Sequence, residues 1–134
     1  MRKHARGQAL LEFALSLTVL LLLVGGVVDV ARIYFSYQIV SDAAREGVTF
    51  AAMAAGNNTA ITQRAIDSTT TLPLTADDVS ITYSGNACAN GSNRVTVTVS
   101  YDVPLRMPMT MSVLGDTVRV TASEEAVILA PECP

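Results

Sequence analysis

A chain of 134 residues that is 50% hydrophobic and 5% aromatic, with no Trp, has room for one small domain packed mainly with Val, Ala, Leu and Met. The formal net charge is −3, but Arg2, Lys3 and Arg6 stand ahead of an apolar run, and the other six Lys and Arg face twelve Asp and Glu, about −6 for the rest of the chain. That sign is wrong for binding nucleic acid, which is excluded as a partner.

The first seven residues are short and basic, and residues 8–28 (QALLEFALSLTVLLLLVGGVV) are apolar apart from Gln8, Glu12, Ser16 and Thr18. At ~1.5 Å per residue this run gives roughly 31 Å, about one hydrocarbon core, so a transmembrane helix is expected. Positive charge before it and Asp29 just after it predict a cytoplasmic N-terminus and an exported remainder. A secretory signal would need a small-x-small cleavage site, which Gly25-Gly26-Val27-Val28-Asp29 does not supply. A plain signal anchor accounts for length and orientation but gives no reason for a carboxylate at position 12. An acidic side chain inside a span is costly, less so near an end, and marks function by default.

Beyond Val28 the helix is expected to continue over 29–55. Val30, Ile33, Tyr34, Tyr37, Val40, Ala44, Val48, Ala51 and Ala55 recur at i+3/i+4 spacing as one apolar stripe. Asp29 can pair with Arg32, and Asp42 with Arg45, across one turn. Gly56-Asn57 supplies a stop. Residues 59–71 predict a second short helix, ended by a Thr run and Pro73.

The period then changes to two. Val79, Ile81 and Tyr83 alternate with polar neighbours, and a turn-rich stretch follows. Val95, Val97, Val99, Tyr101 and Val103 alternate with Arg94, Thr96, Thr98, Ser100 and Asp102, the clearest strand in the chain. The pattern returns over 117–128. Strands at about 79–84, 94–103 and 117–128 make a small antiparallel sheet of about three strands. With the long helix laid on it, the fold class is α+β, and 29–134 is the exported domain. Pro104 and Pro108 bracket an irregular link or single helical turn.

Cys88 and Cys133 are far apart, without CxxC spacing, and one His is too few companions for a zinc site. In an exported domain two such cysteines form one disulfide more often than they stay free thiols. His4 lies in the basic leader, where nothing orients it as a base. Asp77-Asp78 and Glu124-Glu125 have no EF-hand spacing and read as solvated strand ends. The Met107, Met109, Met111 series reads as packing, not as a soft-metal site. No GxSxG, P-loop, GxGxxG or HExxH is present. Neither an enzyme, a metal nor a cofactor is expected.

The order of basic leader, Gly7, then Gln8-Ala9-Leu10-Leu11-Glu12-Phe13 resembles the processing site of type IV pilins, where a membrane aspartic peptidase cuts after the Gly. A glycine there lets extended backbone enter a narrow cleft without a side-chain clash. The run Arg6–Leu15, with Asp42-Ala43-Ala44-Arg45-Glu46-Gly47 about thirty residues later, is similar to the TadE-like family, minor pseudopilins of the tight-adherence (Flp) pilus machinery. The similarity covers roughly residues 6–55. It implies that a prepilin peptidase removes residues 1–7 after Gly7, making Gln8 the mature N-terminus. It also implies that Glu12 and Phe13 serve assembly with other pilins or pseudopilins and with the Flp/Tad platform. The chain would then cross the bacterial inner membrane once, with its C-terminal domain exported. Two other readings stay open: a membrane-anchored binding module, and a secreted domain with a cleaved signal. The mature N-terminal residue separates them, being Gln8, Met1 or one near residue 29.

Overall fold

The computed structural model describes residues 3–85 and 93–129. Helix α1 runs without interruption over Lys3–Met53, 51 residues, or roughly 77 Å. It is long and apolar enough to cross a membrane. No Pro interrupts it, and it ends where Gly56 takes a φ of 92°, a backbone state that glycine enters at little cost. The Asn57 side chain then caps α2 (Asn58–Asp67) by accepting from Ala60 N at 3.2 Å. This helix is shorter than the expected 59–71. Ser68 and Thr69 close it through Arg64 and Ile66 carbonyls, and the β-branched Thr run prefers extended backbone.

After a 3-10 turn at Ala76–Asp78 come β1 (Val79–Ser84), β2 (Arg94–Pro104), helix α3 (Pro108–Leu114) and β3 (Thr117–Val127). The three strands form an antiparallel sheet in the order β1-β2-β3. Thus the architecture is α+β, with the long helix against a three-stranded antiparallel sheet. The segment between β2 and β3 is more regular than a link: Pro108 opens a helix at a position that needs no N–H donor, and Gly115, with φ 85°, closes it.

Beta-strand period sets the two faces. Val95, Val97, Val99 and Val103 are buried, with Val120 and Ala122 of β3 beside them, against Val40, Ala43, Ala44, Val48 and Ala51 of α1. Ile61 of α2 and Leu74 complete this core. The outer face is polar, with Thr98 bonded to Ser123 and Asp102 forked on Arg119 at 2.7 and 2.8 Å. The Arg119 guanidinium holds the Asp102 carboxyl below the usual carboxylate range, although the pair is well exposed and adds little to stability.

The buried side of α1 is rotated from the expected stripe. Val30 (63% exposed), Tyr34 and Tyr37 lie outside the core, whereas Asp29, Ser36, Ala43 and Gly47 are inside it. A sheet lying close along a helix needs short side chains beneath it, and the face containing Ser36, Ala43, Gly47 and Ala51 provides them. The bulkier aromatics point elsewhere.

Candidate functional site

Gly7, Gln8, Glu12 and Phe13 all lie on the first turns of α1, far from the sheet. Nothing stands within 4 Å of a side chain added at Gly7. Glu12 is exposed and Phe13 is 64% exposed, so the whole first half of the helix presents its surface outward: Leu10, Leu11, Leu15, Leu20 and Leu21 are each more than half exposed. A surface this apolar requires lipid or other apolar helices around it.

The second motif is built into the helix–sheet junction. Arg45 reaches Glu124 of β3 at 3.2 Å, and Glu46 accepts from Arg64 of α2 at 2.7 Å. Glu124 interrupts the apolar alternation of β3, because it pairs with Val97 on the inward face; the Arg45 contact accounts for it. Asp42 remains exposed and the expected pairing with Arg45 is replaced by that longer-range one. Gly47 sits where the three layers meet, and a Cβ there would come 3.1 Å from Val97 Cγ1 and 3.2 Å from Ala65 Cβ. The motif is therefore a set of rivets holding sheet and second helix to α1.

Gly47→Leu is expected to destabilise the fold by about 3 kcal/mol, since no space exists between Val97 and Ala65. Gly47→Ala should be close to neutral, because up to ~1 kcal/mol of helix propensity offsets the tight contact. Thermal unfolding of the two variants in detergent, followed by circular dichroism, checks the contrast. Equal melting of Gly47→Leu and wild type would refute a close approach at this position.

A third junction was not foreshadowed by any motif. Asp29, 2% exposed, accepts from Met107 N at 3.0 Å, from Arg106 N at 3.4 Å and from the Thr110 hydroxyl. One carboxylate on α1 thus holds the turn that leads into α3, some eighty residues later in the chain, and the Thr110 side chain in its first turn. Beside it Met107 packs on Gly25, where a Cβ would come 2.9 Å from the sulfur. Arg32, expected to pair with Asp29, has an Nη1 without a hydrogen-bond partner among the described residues. Only proximity in space could reveal this: in the sequence Asp29 shows only as an acid one turn beyond Gly25-Gly26, at the outer end of an apolar run.

Asp78 accepts from Thr75 N and Oγ1 at 2.8 Å and so closes the 3-10 turn, while Glu125 pairs with Arg94 at 3.2 Å. Among the described residues no group of three or more His, Cys, Asp or Glu converges on a point. Cys88 and Cys133 lie outside the described residues.

Residues 7–49 match the model of the TadE-like protein family. The match takes in both motifs, Gly7 to Phe13 and Asp42 to Gly47, and stops before the sheet begins. No curated protein and no solved structure matches the chain. The protein thus carries a TadE-like N-terminal segment, of a family associated with the structure and assembly of the Tad pilus.

Proposed function

We propose that this TadE-like chain is a pilin-like structural subunit that acts in assembly of a Flp/Tad-type pilus. In this reading residues 1–7 are a cytoplasmic leader removed by a prepilin peptidase after Gly7. Residues 8–28 cross the inner membrane, and the α+β domain stands on the exported side. The observation that carries the reading is the division of α1 into two surfaces. Its first half is largely apolar and uncovered as far as Gly25, where Met107 meets it, and its second half is fastened to a sheet. That construction suits a subunit whose free half moves among like helices, from the bilayer into a bundle. Partners are then the peptidase, other pilins or pseudopilins and the assembly platform.

The decisive measurement is the mass of the protein isolated from a host with the matching peptidase. The expected mature N-terminus is Gln8. Gly7→Val should leave a full-length species in the membrane, seven residues heavier than the processed form. The physical reason is that a β-branched side chain fills the space that glycine leaves for an extended strand in a narrow cleft. Wild type and Gly7→Val of equal mass would refute processing at this site. A mature terminus near residue 29 would instead indicate a secreted domain, and an intact Met1 in both would favour a permanently anchored binding module.

A further inference from the structure

We propose that α3 is a second membrane contact: a foot of the exported domain that lays Val113 and Leu114 into the outer leaflet, beside the outer end of the spanning helix. This rests on the membrane reading of residues 8–28 and adds a lipid-facing surface from a part of the chain distant in sequence.

The first observation is a shared groove. Thr110, Val113 and Leu114 line it together with Leu22, Leu23, Gly26, Val27 and Val30. Four of those five α1 residues belong to the apolar run. Whatever surrounds the last turns of the span therefore also surrounds the tip of α3. At ~1.5 Å per residue, Leu22 to Val27 occupy the outermost third of a ~30 Å hydrocarbon core entered at residue 8.

The second observation is the exposure of that tip. Val113 is 78% exposed and Leu114 56% exposed, although Gly25 and Asp29 hold the other end of the helix firmly against α1. A helix of seven residues that is fixed at its first turn and ends in two uncovered aliphatics is aimed outward. Further along α1, Tyr34 (59%), Phe35 (66%) and Tyr37 (44%) are exposed as well. They lie about 10–15 Å beyond Val27, past the headgroup layer of roughly 5–8 Å that adjoins the hydrocarbon core. Arg32 stands nearer, about 7 Å beyond Val27 and within the headgroup layer, and the exposed Arg106 adjoins Asp29. The order away from the bilayer centre is aliphatic tip, arginines, aromatics.

The third is the treatment of the backbone. Polar main-chain groups at membrane depth need partners inside the protein. At the start of α3 the Asp29 carboxylate supplies them to Arg106 N and Met107 N. Further on, Met111 N donates to Met107 O and Gly115 N to Met111 O, each at 3.0 Å. The buried acid thereby acquires a purpose: it lets a chain reversal approach the hydrocarbon with its N–H groups satisfied. Continuity of the groove with the span favours lipid as occupant over a helix of a second copy.

The chain has no Trp, so one introduced Trp reports on its own surroundings. The full chain is reconstituted in phosphatidylethanolamine/phosphatidylglycerol vesicles whose acyl chains carry bromine at a shallow or a deep position. Val113→Trp is expected to lose about half of its emission to shallow bromine, as an interfacial residue should. Leu20→Trp should be quenched by deep bromine, and Thr82→Trp, on the outward strand β1, by neither. If Val113→Trp escapes quenching while Leu20→Trp does not, the foot is overturned and the membrane reading survives. The foot is overturned equally if the Val113→Trp emission is blue-shifted but responds only to protein dilution, since a second copy then fills the groove. Loss of quenching at Leu20→Trp would remove the membrane reading and the foot with it.

Discussion

Glu12→Ala is expected to reach the membrane at the wild-type level and to be processed normally, yet to lose its association with other pilins. Insertion should tolerate the acid because Glu12 lies near the cytoplasmic end of the span, from where a side chain can reach towards the headgroups. Its position therefore calls for a partner other than lipid. Under the proposed processing, cleavage after Gly7 would create one, the free amino group of Gln8 on a neighbouring subunit. Two unit charges ~4 Å apart attract by about 4 kcal/mol at an effective dielectric near 20. Desolvation removes part of that gain, so such a pair would set axial register more than it would add net stability. Phe13, exposed next to it, would pack against the same neighbour. Co-purification of tagged variant with its pilin partners, alongside a count of pili, checks this. Normal pili made with Glu12→Ala would leave the acid as a recognition mark for the peptidase alone.

Periodicity made much of the fold legible. Val95, Val97 and Val99 alternate with Thr and Ser, and a strand buried on one face permits little else. Gly56 and Pro108 mark the end of one helix and the beginning of another by backbone chemistry that acts within a few residues. The features that stayed hidden have a common cause. Tyr34 and Tyr37 are as apolar as a core residue, and hydrophobic spacing alone cannot say whether an apolar side chain faces a sheet, a lipid or another subunit. Asp29 pointed to Arg32 because a helical turn is the only neighbourhood that sequence displays; Arg32 does act on it through charge, but its hydrogen-bond partners lie across the fold in α3 and the two residues before it. Glu124 broke the alternation of β3 for a reason visible only once Arg45 stood over it. In the TadE-like segment the Asp42–Gly47 motif was recognisable by its letters, while its role in joining helix to sheet required the third dimension.

Replacing either cysteine should lower the melting temperature of the exported domain by roughly 15 °C, through loss of a Cys88–Cys133 bond that we propose forms after export. The neighbouring geometry favours it. Arg94 and Val127 are the last Cα partners of the β2–β3 ladder, and Ile128 N still donates to Asn93 O at 3.0 Å. Cys88 precedes Arg94 by six residues and Cys133 follows Val127 by six. The loop closed in the unfolded chain would hold 44 intervening residues, and chain-entropy arithmetic gives roughly 4 kcal/mol as an upper figure for the benefit. For a domain of about a hundred residues that corresponds to the stated shift in melting temperature. The bond would also secure the end of β3, where Leu129 N donates to Ala52 O at 2.9 Å and ties the strand to the outer end of α1. Cys88→Ser, Cys133→Ser and the double variant should melt alike, since each removes the same bond. Mass analysis after alkylation without reduction gives the direct test: two free thiols in the undenatured exported protein would sink the pairing.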